Sequence, residues 1–432
     1  MRKSTLLTVS FFCVLVFASC SMQKQIAKQA EQSILTNPDF ASSHVGISLY
    51  DPSTQQYLYN YQGDKFFVPA SNTKLFACYA AMKNLGDSLV GLRYVDKGNG
   101  TIEAEANGDA SFLMADFKTH PVYDFLKKQK RILLTDANWK DNGLGAGWAW
   151  DDYNSDYMAE RSAMPIYGNL VKFTNTNGLK AMPSYFQKPM GETGSGSFSI
   201  RREFGTNSFL IRPSSTKFSS AEIPFYTTGN QVLLQLLRDT LKTTVEQVHI
   251  KLDRLPDVVK VYSQPTDSLL KIMMHRSDNF FAEQTLLMIS NEKLGIMNNR
   301  QIIDTLLKTD FANLPQKPKW VDGSGLSRYN LISPQDFVWV LTQMKNEFKW
   351  ERIQAILPTG GEGTLSSYYK NYAGRIYAKT GSLSNHLALS GYITTKKGKQ
   401  LIFSVLVNAE MSPAANIRKG VEKFLTGVMD KY

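Results

Sequence analysis

The sequence predicts an α+β fold: an antiparallel sheet built from the two ends of the chain and flanked by helices, with a strand-rich second domain inserted between them. Three observations lead there. Period-two apolar runs occur near both termini, and apolar residues at helical spacing fill much of the chain between. At 432 residues the chain exceeds what one compact core usually organises. A long stretch after residue 85, dominated by turns, aromatics and strand-like runs, interrupts the helical pattern.

Residues 1–19 read as a secretory leader. Met1-Arg2-Lys3 is a basic start, Leu6 to Ala18 is a mostly apolar run too short to span a membrane, and Ala18-Ser19 places small residues before a cut. Cysteine at position 20 resembles a bacterial lipoprotein box, although Phe17 and Ser19 depart from its commoner residues. Lipid on Cys20 would anchor the protein to a bacterial membrane, whereas a cut near Ala18 would leave it soluble. Residues 20–36 then form an anchor-proximal linker and first helix.

Val45 to Tyr50 and Tyr57 to Tyr61 flank Asp51-Pro52-Ser53-Thr54, which predicts an antiparallel hairpin. Ser71 opens a helix with Leu75, Phe76, Tyr79, Met82 and Leu85 on its apolar positions. At the far end, 375–379, 388–394 and 400–408 read as strands. An amphipathic helix from Pro413 to Met429 closes the chain. The interval from Ser71 to Ser277 is about twice that from Ser277 to Lys379, so much of it is an insertion. We expect the insert at 85–262 and the main domain at 37–84 plus 263–432.

The composition, 43% hydrophobic and 12% aromatic, excludes a disordered chain. Cys13 leaves with the leader and Cys20 takes lipid, so Cys78 is the cysteine expected in the fold, as a buried packing residue without a disulfide. The formal charge of +11 suits an anionic cell-wall polymer or membrane surface, or nothing beyond solubility. Nucleic acid is not an expected partner, because export and the lack of an arginine-rich helix or aromatic motif argue against it. The five histidines show no metal-ligand spacing and no H-E-x-x-H occurs, so neither metal nor other cofactor is expected.

Three triplets carry the chemistry: Ser71-Asn72-Thr73-Lys74, Ser277-Asp278-Asn279 and Lys379-Thr380-Gly381. A serine in the first turn of a helix has that helix's positive end beside its oxygen, and a lysine three residues later lies within reach of it. The hydroxyl becomes a good nucleophile only if a base takes its proton, and lysine is such a base once burial or a second ammonium lowers its pKa. Lys379 is the expected second cation. Ser277 is expected to relay the proton to a leaving amine, and Asn279 to orient Lys74 and hold a substrate amide. Gly381 lets a substrate lie along an edge strand. The amides of Ser71 and Ser382 would form the oxyanion hole, while Thr380, Ser382 and Lys379 would hold a substrate carboxylate. Each triplet alone also reads as a helix cap or turn. Their combination, in this order, is the pattern of penicillin-recognising serine enzymes.

With Asp322 to Asn330, Leu357-Pro358, Gly363-Thr364-Leu365, Lys379 to Leu383 and Gly147 to Asp152, the chain resembles the D-alanyl-D-alanine carboxypeptidase/endopeptidase family of low-molecular-mass penicillin-binding proteins. That family has a transpeptidase-type fold with a large insertion between its first two motifs. The resemblance implies a periplasmic hydrolase of peptidoglycan stem peptides that β-lactam antibiotics acylate at Ser71. It implies further that Asp152, Tyr157 and Arg328 help hold the side chain of the diamino acid. Tyr329 stands where histidine is common, and the insert is short for the family. The competing readings are a β-lactamase or esterase of the same fold, which needs fast deacylation, and a non-catalytic anchored peptidoglycan-binding protein.

Overall fold

The computed structural model describes residues 22–175, 178–187, 190–192, 197–212, 220–227, 230–252 and 257–432. The leader and Cys20 lie outside these residues. The main sheet runs in the order Ile376–Leu383, His386–Thr394, Gln400–Asn408, His44–Asp51, Gln56–Tyr61, every neighbour antiparallel. The N-terminal hairpin turns where Asp51 Oδ1 accepts from the amide (3.0 Å) and hydroxyl (2.6 Å) of Ser53, so the aspartate side chain organises the turn. Across the sheet, Ile47 pairs with Val405, joining the two ends of the chain as expected.

The strand Gln400–Asn408 shows why both faces of this sheet are covered. Leu401, Phe403, Val405 and Val407 pack with Ile26, Phe424 and Val428 of the terminal helices. Ile402 and Leu406, facing the other way, pack with Phe76 and Leu341 of the helical layer. The closing helix, Ala414–Lys431, buries Ile417, Val421, Phe424, Leu425 and Val428. Residues 22–30 form a helix beside it, held by Lys431 Nζ donating to Gln29 Oε1 at 2.8 Å and Gln29 Nε2 donating to the Lys423 carbonyl at 3.1 Å. Among the described residues no helix is long and apolar enough to cross a membrane.

One strand is longer than the sequence suggests. The third-motif strand was expected to end at Lys379, but its ladder continues through Gly381–Ala388 to Leu383–His386, so the triplet lies inside an edge strand. A glycine normally weakens a strand. Here a Cβ on Gly381 would lie 2.6 Å from the carbonyl oxygen of Pro69, so the position admits no side chain.

The insert has its own mixed five-stranded sheet, ordered Thr244–Val248, Arg131–Thr135, Thr101–Ala106, Ser88–Asp96, Val259–Pro265, and two three-stranded sheets. Leu92, Ile102, Leu134, Phe173, Leu236 and Val245 form a core separate from that of the main domain. The insert also contains a helix, Gln231–Leu241, that the strand-like reading passed over; its Val232, Leu233, Leu236, Leu237 and Leu241 turn one apolar face inward. The insert and main domain meet on the helix Asn279–Leu294. From it Gln284 Nε2 donates to the carbonyls of Gly108 (2.8 Å) and Ser162 (3.0 Å), and Asn291 Nδ2 donates to Asn107 Oδ1 (2.6 Å).

Candidate active site

Local structure aims each triplet. Ser71 lies in a single turn of 3₁₀-helix, Ala70–Thr73, that runs into the helix Lys74–Asn84, whose residues from Lys74 to Met82 are all buried. A helix apolar on every side belongs inside a protein, which anchors the part-exposed Ser71 just ahead of its N-terminus. Asp278 caps the helix Asn279–Leu294 by accepting from the Phe281 amide at 2.8 Å. The helix-cap reading therefore holds for Asp278, and it leaves Ser277 and Asn279 to face elsewhere. Ser277 sits at φ 61°, a left-handed conformation rare for a residue with a side chain.

The three triplets converge. Lys74 Nζ lies 2.9 Å from Ser71 Oγ, 2.7 Å from Asn279 Oδ1 and 2.7 Å from the Ser324 carbonyl oxygen. Lys379 Nζ donates to Ser277 Oγ at 2.8 Å and to the Thr380 carbonyl at 2.7 Å. Asn72 Nδ2 donates to the Lys379 carbonyl at 2.8 Å, clamping the serine turn to the strand.

These partners decide how Lys74 can act. A neutral amine has two N–H groups and one lone pair. Asn279 Oδ1 and the Ser324 carbonyl can only accept, so they take both N–H groups. The lone pair is then left for the Ser71 hydroxyl, the one partner of the three with a proton to give. Complete burial pushes the Lys74 ammonium down to about 8, against the opposing pull of Asp278, Asp322 and Glu283. Burial, and secondarily the charge of Lys74, drives Lys379 well below the ordinary ammonium range. Burial is thus the main cause of the shift at Lys74.

Beneath the site lie Glu283, which the sequence reading did not single out, and Asp322, which it named only as part of a motif. Glu283, one turn after Asn279 and fully buried, accepts from the Ser324 amide at 2.7 Å and from Asn299 Nδ2 at 3.2 Å, and pairs with Arg161 of the insert at 3.5 Å. Burial first, and Asp322 second, push its carboxyl up to about 7. Asp322 accepts from the amides of Gly325 (2.9 Å) and Ser327 (2.7 Å) and from Trp148 Nε1 of the insert (3.0 Å). Gly325, at φ 81°, presses so closely on the Ser71 turn that a Cβ would fall 1.8 Å from the Ala70 carbonyl oxygen. The Asp322-Gly323-Ser324-Gly325 run was visible as a motif, but nothing in its spacing reveals that a backbone carbonyl is its contribution.

The expected substrate groups are only partly assembled. Asn279 Nδ2 donates to the Tyr157 carbonyl (3.0 Å), and Tyr157 OH donates to Asp152 Oδ1 (2.7 Å), which brings this pair beside the second triplet. Arg328 instead contacts the Ser384 carbonyl (3.2 Å) and His386 Nδ1 (3.1 Å). Trp148 packs under Arg161, whereas Trp150 is 74% exposed. Ser382 is exposed, and its Oγ accepts from Arg418 at 3.0 Å.

The model of the D-Ala-D-Ala carboxypeptidase 3 (S13) family matches residues 27–428, nearly the whole chain. The chain belongs to that family. This S13 chain is a serine-type D-Ala-D-Ala carboxypeptidase, a hydrolase. It is 26% identical to the D-alanyl-D-alanine carboxypeptidase of Actinomadura sp. strain R39 over 88% of this chain and 81% of that one. Its fold is that of penicillin binding protein 4 (dacB) from Haemophilus influenzae, with TM-score 0.75 and 20% identity over 94% of this chain and 99% of that one. The same Haemophilus influenzae protein complexed with a novel β-lactam gives TM-score 0.71 and 19% identity, again over 94% and 99%.

Proposed function

We propose that Ser71 is the nucleophile of this carboxypeptidase and Lys74 its base, acting on peptidoglycan stem peptides that end in D-Ala-D-Ala. The observation that carries this reading is the set of partners around Lys74 Nζ, two obligate acceptors and one hydroxyl. Lys74 takes the Ser71 proton as Oγ bonds to the carbonyl carbon of the penultimate D-alanine, with the resulting oxyanion facing the amides of Ser71 and Ser382. The C–N bond then breaks. The departing amine takes a proton from Lys74 by way of the Ser277 hydroxyl, which Lys379 holds in place, and D-alanine leaves. Water then cleaves the ester on Ser71 and restores the enzyme. A β-lactam follows the same first step: its ring C–N bond opens, but the amine stays tethered and the ester persists.

Asp152 and Tyr157 contribute to the pocket for the diamino acid side chain, and Arg328 borders it through His386. The insert at 85–262 supplies the first two, with 37–84 and 263–432 forming the catalytic domain. A cross-linked stem peptide is also a substrate, so endopeptidase cleavage accompanies carboxypeptidase cleavage. Residues 1–19 direct export and Cys20 carries lipid, placing the enzyme in the periplasm on a bacterial membrane. Radiolabelled palmitate incorporated by the full chain, and absent in Cys20→Ser, tests the anchor.

The test of function is release of D-alanine from a purified muropeptide ending in D-Ala-D-Ala. The wild type releases it and Ser71→Ala does not. Continuous hydrolysis of penicillin without a lasting adduct would instead make the enzyme a β-lactamase.

A further inference from the structure

Building on the proposed function, we propose that Arg418, on the closing helix, supplies the fixed positive charge that recognises the free C-terminal carboxylate of the substrate. Side chains alternate along a strand. Lys379 and Gly381 face the Ser71 turn, as the contacts of Gly381 with Pro69 and Asn72 show. Thr380 and Ser382 therefore leave from the opposite face, the side on which the closing helix packs. There Arg418 Nη2 donates to Ser382 Oγ at 3.0 Å, and Thr380, Gly381, Ser382 and Arg418 line one cavity at the sheet edge.

The sequence reading gave the carboxylate-binding charge to Lys379, but that amine is committed to Ser277 Oγ and the Thr380 carbonyl. It is also buried, in surroundings that disfavour its charged form. A guanidinium keeps its charge at any working pH and presents a planar fork that matches a carboxylate. Among the described residues no carboxylate oxygen lies within 4 Å of Arg418. Glu410, the acid that acts on it through space, makes no ion pair with it. The scissile bond lies one residue from the substrate's end. At roughly 3.3 Å per extended residue, a chain laid along the edge strand brings its terminal carboxylate against Thr380 and Ser382.

The experiment compares a D-Ala-D-Ala peptide with the same peptide carrying a C-terminal amide, in the wild type, Arg418→Ala, Arg418→Gln and Arg418→Lys. A charged hydrogen bond is worth about 1.5–3 kcal/mol, or roughly ten- to a hundredfold. Arg418→Ala and Arg418→Gln are therefore expected to lower kcat/KM for the acid by about that factor, through KM, while leaving the amide rate unchanged. Arg418→Lys is expected to recover part of the loss. The glutamine variant, which keeps most of the side chain's bulk, decides the matter should the alanine variant fold poorly. A wild-type acid-to-amide ratio in Arg418→Gln overturns the assignment of Arg418 and leaves the role of Ser71 untouched. A wild type that cleaves neither peptide overturns both.

Discussion

Lys74 Nζ lies 2.7 Å from the carbonyl oxygen of Ser324, and the amide of the same Ser324 is held at 2.7 Å by Glu283. A single residue thus joins the Lys74 amine to a buried carboxylate, which is itself paired with Arg161 of the insert. The insert therefore reaches the base of the active site through Arg161 and Trp148, and does not merely extend the cleft.

The basicity of Lys74 sets the pH dependence. Its folded pKa is lowered to about 8 by burial, and only the neutral amine accepts the Ser71 proton. Acylation by a chromogenic β-lactam is expected to rise about tenfold per pH unit below 8 and to level off above it, measured by stopped-flow absorbance. A rate independent of pH between 6 and 9 contradicts the role of Lys74.

Glu283 tunes that inflection. Its negative charge favours the Lys74 ammonium, so Glu283→Gln, which keeps an acceptor for the Ser324 amide and leaves Arg161 its partner Asp141, is expected to shift the inflection to lower pH by on the order of one unit. Glu283→Ala removes the acceptor as well and is expected to slow acylation at every pH. The same stopped-flow profiles distinguish these outcomes.

Gly325 couples stability to the site. Alanine there combines an unfavourable left-handed conformation with a Cβ 1.8 Å from the Ala70 carbonyl oxygen. Gly325→Ala is expected to cost about 1–3 kcal/mol, or more where the Ser71 turn cannot yield, and to reduce acylation along with it. Thermal unfolding and acylation assays on the same sample measure both effects.

Cys78 is free, fully buried and raised by that burial to about 12, so almost none of it is thiolate at neutral pH. Native protein lacking the leader and Cys20 is expected to leave a thiol-reactive disulfide dye unreacted for hours, and to react with one equivalent once denatured.

The α+β architecture and the convergence of the triplets were legible in the sequence, because period-two and helical apolar patterns mark the terminal sheet and its helices, and motif order fixes which segments must meet. Four pieces of information were not. The Ser324 carbonyl is a backbone group, which residue identity does not encode. Glu283 looks like an ordinary acid in an apolar helix until tertiary packing buries it against Arg161. The separation of Lys379 from Thr380 and Ser382 depends on the strand continuing to Leu383, beyond the 375–379 run that reads as a strand. Arg418 lies far from any motif and reaches Ser382 only because the last helix packs on the neighbouring strand His386–Thr394, on the face from which the Ser382 side chain leaves.

The central claim concerns one oxygen atom. Mature protein incubated with labelled penicillin, digested and analysed by mass spectrometry is predicted to carry the intact drug's added mass on the peptide containing Ser71, with fragmentation placing it on that residue. A stable adduct on any other residue, or acylation of undiminished rate in Ser71→Ala, would contradict the account.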